Sequence, residues 1–126
     1  MTRNLLILWS LLTGCIIAHS AAAAAGNPTA GQKLFNVQCG ACHSAAAGVN
    51  MVGPSLFGLV GRKSGSIANF HYSAANRDAG ITWDEATLDK YLANPRAMLP
   101  GTTMPYAGIK NSDQRADLIA YLATLK

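Results

Sequence analysis

The sequence predicts an all-α fold in which short helices are separated by ordered loops. Three observations carry that expectation. Apolar residues recur at helical spacing in segments that open on Asn27-Pro28, on Thr82-Trp83-Asp84-Glu85 and near Ser112-Asp113. Between the first two lies an Ala-, Gly- and Ser-rich stretch, 44–69, that reads as loop rather than strand. The pentapeptide Cys39-Gly40-Ala41-Cys42-His43 is the attachment pattern of a c-type haem, a large apolar body around which a small chain can fold.

The elements follow in order. Arg3, the apolar run Leu5 to Ala18 and the small residues up to Ala25-Gly26 describe a secretory signal peptide over residues 1–25. That leaves 26–126 as one domain. Within the leader, Leu12-Thr13-Gly14-Cys15 resembles a lipobox, the site at which bacterial lipoproteins are cleaved and acylated. Ile16 and Ile17 continue the apolar run past the cysteine and favour simple cleavage near residues 20–25. Lipidation at Cys15 and an uncleaved anchor are the alternatives. Asn27 as cap and Pro28 at the first position start a helix that runs through Gly31, Leu34 and Phe35 to the pentapeptide. The loop stretch carries Gly53-Pro54, Gly58, Gly61 and Gly65. Tyr72 to Asp78 predicts a short helix ended by Gly80. Thr82-Trp83-Asp84-Glu85 fits a capping box, with Leu88, Tyr91 and Leu92 as the apolar face behind it and Asn94-Pro95 as the stop. A last helix starts near Ser112 or Asp113 and sets Leu118, Tyr121, Leu122 and Leu125 on one face.

Charge excludes one class of function. The chain of 126 residues has a formal net charge of +4. Removing Arg3 with the leader leaves nine basic against six acidic side chains, +3, and two haem propionates would offset up to two of those. Such a surface is too weakly basic for a nucleic-acid binder. A domain of about a hundred residues is also marginal on its own apolar core, so the cofactor doubles as core.

The pentapeptide has a physical logic. On a turn of helix, Cys39 and Cys42 project to one side and can both form thioethers to the haem vinyl groups. His43 is then carried under the ring, where a neutral imidazole nitrogen binds iron. A zinc half-site is the bland alternative, but structural zinc takes four ligands, and the only other cysteine and histidines are Cys15, His19 and His71. A redox dithiol wants a βαβ context that the sequence lacks.

The sixth iron ligand separates electron transfer from ligand chemistry. His71 sits among polar and aromatic residues and reads as surface. Met51 lies eight residues after His43, too near to reach the opposite haem face. Met98 and Met104 remain, and Met98 reads as packing at the end of a helix. Met104 lies 61 residues beyond His43 in the rigid, turn-prone Gly101-Thr102-Thr103-Met104-Pro105-Tyr106, which suits it to present one thioether at a fixed place. A thioether opposite histidine raises the reduction potential and closes the iron to small molecules.

With both ligands in place, residues 28–126 resemble the class I cytochromes c, and within them the mitochondrial-type branch that includes bacterial periplasmic cytochromes. The resemblance lies in Cys39 to His43, Gly53-Pro54-Ser55-Leu56-Phe57-Gly58-Leu59-Val60-Gly61-Arg62-Lys63, Gly80 to Trp83, Tyr91 to Pro95, Pro100 to Met104, Ala107 to Lys110 and Arg115 to Leu122. It implies the small class I cytochrome c fold and one covalent haem c. It implies that the Pro54 carbonyl accepts the second N–H of His43. Tyr72 and Trp83 should hydrogen-bond a haem propionate with Arg62 close by. Tyr91 should reach the Met104 sulfur or a nearby buried water, with Asn76 and Thr102 in the same network. Gly31 and Phe35 should meet Leu118 and Tyr121 where the first and last helices cross.

Departures are equally specific. Gln38 and Thr103 stand where the family's animal and fungal members ring the haem edge with lysines, and Arg96-Ala97 replaces a lysine pair. Docking on an acidic partner is therefore expected to be weaker and less salt-sensitive. Tyr106 stands where the family commonly has Phe. The function expected is that of a monomeric one-electron carrier in the periplasm, or tethered to the membrane facing it, and not an enzyme. It would take electrons from a membrane quinol-oxidising complex or a dehydrogenase and pass them to a terminal oxidase or reductase. A dedicated electron-transfer subunit of one dehydrogenase is the alternative. A haem peroxidase or gas sensor would need an open iron position and a distal acid–base group.

Overall fold

A computed structural model describes residues 25–126. The leader, the lipobox at 12–15 and the cleavage site lie outside the described residues, apart from Ala25. Five helices follow in order: α1 Pro28–Gln38, α2 Ala74–Arg77, α3 Glu85–Ala93, α4 Pro95–Met98 and α5 Ser112–Leu122. Among the described residues no helix is long and apolar enough to cross a membrane.

The first and last helices form the frame. The Asn27 side chain caps α1 by accepting from Thr29 and Ala30, and Asn111 caps α5 by accepting from Asp113 and Gln114. The two helices cross at Gly31, where an added Cβ would come 1.9 Å from the Asp117 carbonyl oxygen. Only glycine allows that backbone approach. Phe35 and Tyr121 pack beside the crossing with ring centroids 5.4 Å apart. The Asn27 N–H donates to Asp117 Oδ1 at 2.6 Å and ties the start of α1 to α5. Helix α3 completes the frame through Leu88, Tyr91 and Leu92, all buried. Arg115 of α5, 12% exposed, pairs with Asp89 of α3 at 2.7 Å and donates to the Ile109 and Lys110 carbonyls, fixing the chain that leads into α5.

The stretch 44–69 is loop, held by backbone bonds to the rest of the chain. Gly53 N–H donates to Cys42 O, Leu56 N–H to Ser44 O and Gly58 N–H to Leu125 O. The buried Ser55 hydroxyl donates to Ala46 O at 2.6 Å. Lys63 and Thr82 form an isolated antiparallel bridge, with Trp83 N–H donating to Arg62 O at 2.9 Å.

Two expected boundaries are corrected, and one expected stop has a second role. The box expected at Thr82 does not form: Thr82 is held in the bridge, and Asp84 caps α3 by accepting from Thr87 N–H at 2.7 Å. The helix expected over 72–78 shortens to Ala74–Arg77, because Ser73 accepts from Asn76 N–H and takes the cap. Asn94-Pro95 stops α3 but also starts α4, in which Asn94 accepts from Ala97 N–H at 3.3 Å and Pro95 fills the first helical position.

Candidate functional site

The C-terminus of α1 delivers the reactive residues. Cys39 is the cap residue of α1, and the turn continues through Cys42 N–H and His43 N–H, both donating to Cys39 O. This turn swings both thiols and the imidazole toward one cleft, whose walls include Cys39, Cys42, His43, Pro54, Arg62, Tyr72, Asn76, Trp83, Tyr91 and Met104. Ten of the eleven residues expected from the sequence therefore share one site. Thr102 stands one step behind the wall and accepts from Asn76 Nδ2 at 3.4 Å.

His43 has one nitrogen committed. Its Nδ1 lies 2.8 Å from the Pro54 carbonyl oxygen, which can only accept, so Nδ1 carries the proton and Nε2 keeps its lone pair for the cleft. Gly53 packs against the ring: a Cβ there would come 2.2 Å from His43 Cε1. On the Met104 side, the Tyr91 hydroxyl donates to Met104 Sδ at 3.9 Å. Burial raises the Tyr91 pKa, with the Thr102 hydroxyl partly countering it, so the phenol stays a donor. Trp83 packs on Tyr91 with ring centroids 4.8 Å apart and is 7% exposed.

The polar end of the cleft is cationic. Arg62 donates from Nη1 to Phe57 O at 2.9 Å and from Nη2 to Ser55 O at 3.0 Å. Burial holds its guanidinium below its ordinary value, with Tyr72 countering in part. Among the described residues the ion pairs are Arg77–Asp78 and Arg115–Asp89, so this half-buried cation has no carboxylate of the chain beside it. Tyr72 accepts from Ile67 N–H at 3.4 Å and keeps its own O–H proton to donate.

The donor set fits the haem that the pentapeptide predicts. Cys39 and Cys42 are free thiols, and burial, then Cys42, pushes the Cys39 thiol up to about 11. Neither sulfur is tied up in a disulfide, so both are available for thioether bonds. The cation and phenol at one end match carboxylates, and Leu59, Leu88, Leu92, Leu118 and Leu122 supply apolar walls. His71 is exposed, and Met51 is 47% exposed, as surface residues should be. Met98 is packed against the core and absent from the cleft.

Sequence reasoning missed Gly53 as a buttress, although a glycine directly before Pro54, the histidine's carbonyl partner, was a visible cue. It also missed that the Tyr106 hydroxyl donates to Gln38 Oε1 across the cleft mouth. Burial, then Cys39, pushes the Tyr106 phenol up to about 12.

Comparison with known proteins follows the same lines. A family model described as Cytochrome c matches residues 28–126. The chain is 48% identical over 101 residues to a cytochrome c of Euglena viridis, covering 80% of this chain and 99% of the relative. It is 49% identical over 115 residues to a cytochrome c2 of Rhodomicrobium vannielii, covering 90% of this chain and 91% of the relative. It is 50% identical over 103 residues to a cytochrome c of Chlamydomonas reinhardtii, covering 81% and 92%.

Proposed function

The chain belongs to the cytochrome c family, and from that premise we propose that it carries single electrons on a haem iron held between His43 and Met104. Members of the family bind one covalent haem c and are electron carriers, not enzymes. The bound haem iron supplies the one-electron change between Fe(II) and Fe(III). Cys39 and Cys42 would hold the group by thioethers, and His43 would bind through Nε2 with its ring fixed by Pro54. Arg62, Tyr72 and Trp83 would take the propionates. Tyr91, with Asn76 and Thr102 behind it, would orient the Met104 sulfur.

The observation that carries this reading is the pairing within one cleft of an imidazole tied at Nδ1 and a thioether held by a buried phenol. Two protein ligands, His43 and Met104, would serve the iron in both oxidation states and leave little to reorganise on electron transfer. They would also fill the open iron position that a peroxidase or gas sensor requires.

The leader-like first 25 residues and the similarity to a bacterial cytochrome c2 support a periplasmic carrier. Such a carrier would accept electrons from a membrane quinol-oxidising complex or a dehydrogenase and deliver them to a terminal oxidase or reductase. Service to one dedicated dehydrogenase is distinguished by co-purification with it.

One spectrum tests the ligand set. The ferric protein should show the Met-to-iron charge-transfer band, and Met104→Ala should abolish it while the haem stays attached. Loss of the band in Met98→Ala with retention in Met104→Ala overturns the assignment. Rapid binding of carbon monoxide by the reduced wild type counts against the carrier reading.

A further inference from the structure

The segment that bears Met104 is thinly anchored. Among the described residues, residues 103–108 take part in no backbone–backbone hydrogen bond, and such bonds resume where Ile109 N–H donates to Leu92 O at 2.8 Å. Met104 N–H bonds locally to Thr102 Oγ1 at 3.3 Å. Beyond that local bond, side chains of this segment hydrogen-bond the rest of the described chain at two places. One is the 3.9 Å contact of the Tyr91 hydroxyl with Met104 Sδ, and sulfur is a weak acceptor. The other is the bond that the Tyr106 hydroxyl donates to Gln38 Oε1, spanning 68 residues.

The second bond joins the two sides of the cleft. Gln38 is the last residue of α1, directly ahead of Cys39, so it is fixed to the haem-attachment turn. Tyr106 stands two residues beyond Met104, so its position sets where the thioether can be. Both residues line the cleft mouth, and a phenylalanine at 106 could fill the same space but could not make the bond.

We propose that Tyr106 is a positioning residue: its hydroxyl, bonded to Gln38, latches the Met104 segment to the attachment turn and limits how often the thioether leaves the iron. This rests on the reading of Met104 as the second axial ligand. The latch acts on the rate at which the site opens, not on the chemistry at the iron. Electron transfer needs only the closed form, so the latch keeps the carrier closed to small ligands between encounters.

The test uses the loaded ferric protein and imidazole as the incoming ligand. At high imidazole the binding rate levels off at the rate of segment opening, and the charge-transfer band reports whether the thioether is on the iron. Tyr106→Phe is expected to keep the band at neutral pH and to raise the plateau rate about three- to ten-fold, the range one net hydrogen bond supports. Gln38→Leu is expected to do the same. The double variant is expected to open no faster than either single one, because both remove one bond. Gln38→Glu retains an acceptor and is expected to stay within about two-fold of wild type. Plateau rates unchanged in both single variants, or multiplying in the double, overturn the latch while the band stands. A wild type without the band overturns the ligand reading and the latch together.

Discussion

Gly53 leaves the His43 ring no room to move toward the backbone. A methyl group at that place would lie 2.2 Å from Cε1 and 2.6 Å from Nδ1, well inside contact distance. Gly53→Ala must therefore turn the ring and loosen its 2.8 Å bond to Pro54. We expect the substitution to destabilise the loaded protein by about 1–3 kcal/mol. The readout is guanidinium unfolding followed at the haem absorption, and an unchanged midpoint refutes the crowding argument. At this scale much of the candidate site was legible: the pentapeptide and Met104 declare their chemistry by residue type, whereas the role of the Pro54 carbonyl came only with the family resemblance. What stayed hidden were relations between residues far apart. Nothing in the letters of Gln38 and Tyr106, 68 positions apart, says that the fold brings them together.

Helix boundaries depended on which polar side chain reached the first free N–H groups. Asn27-Pro28 announces α1 because asparagine and proline each favour the same end, and the structure starts α1 there. Thr82 and Asp84 compete for the next start. The bridge to Lys63 removes Thr82 from contention, a tertiary contact that local pattern cannot reveal. The consequence can be measured. Asp84 has its pKa held below the ordinary carboxylate value, chiefly by the bond from Thr87 N–H. A carboxylate depressed in the folded state stabilises above its unfolded pKa, and the contribution disappears as pH falls through the folded one. The difference in urea midpoint between wild type and Asp84→Ala should therefore be constant above about pH 5 and shrink below about pH 4. A difference that stays level through acid refutes the ionic cap. At the α1–α5 crossing the demand is steric instead. Gly31→Ala drives a Cβ into the Asp117 carbonyl and should cost at least about 2 kcal/mol by thermal unfolding.

For the whole molecule, the balance of charge and apolar surface governs encounters. The cleft mouth includes Gln38, Val52, Thr103 and Pro105, none of them ionisable. The exposed large hydrophobic residues among those described, Val37, Val49, Met51 and Val52, all fall in the segment that brackets the attachment turn. Residues 25–126 hold nine basic and six acidic side chains, a net +3 that gives little long-range steering. The second-order rate of electron exchange with an acidic redox partner should change by less than about three-fold between ~0.01 and ~0.15 M salt. A steep fall with salt would locate cationic steering that this surface does not provide.

Several core side chains have two duties. Leu59, Trp83, Leu88, Tyr91, Leu92, Leu118 and Leu122 are buried members of the core and also walls of the cleft. Their packing is completed only when the haem is joined, so maturation and folding become one event. A chain that misses attachment would leave this apolar lining uncovered, and limited proteolysis should cut it faster than the loaded protein.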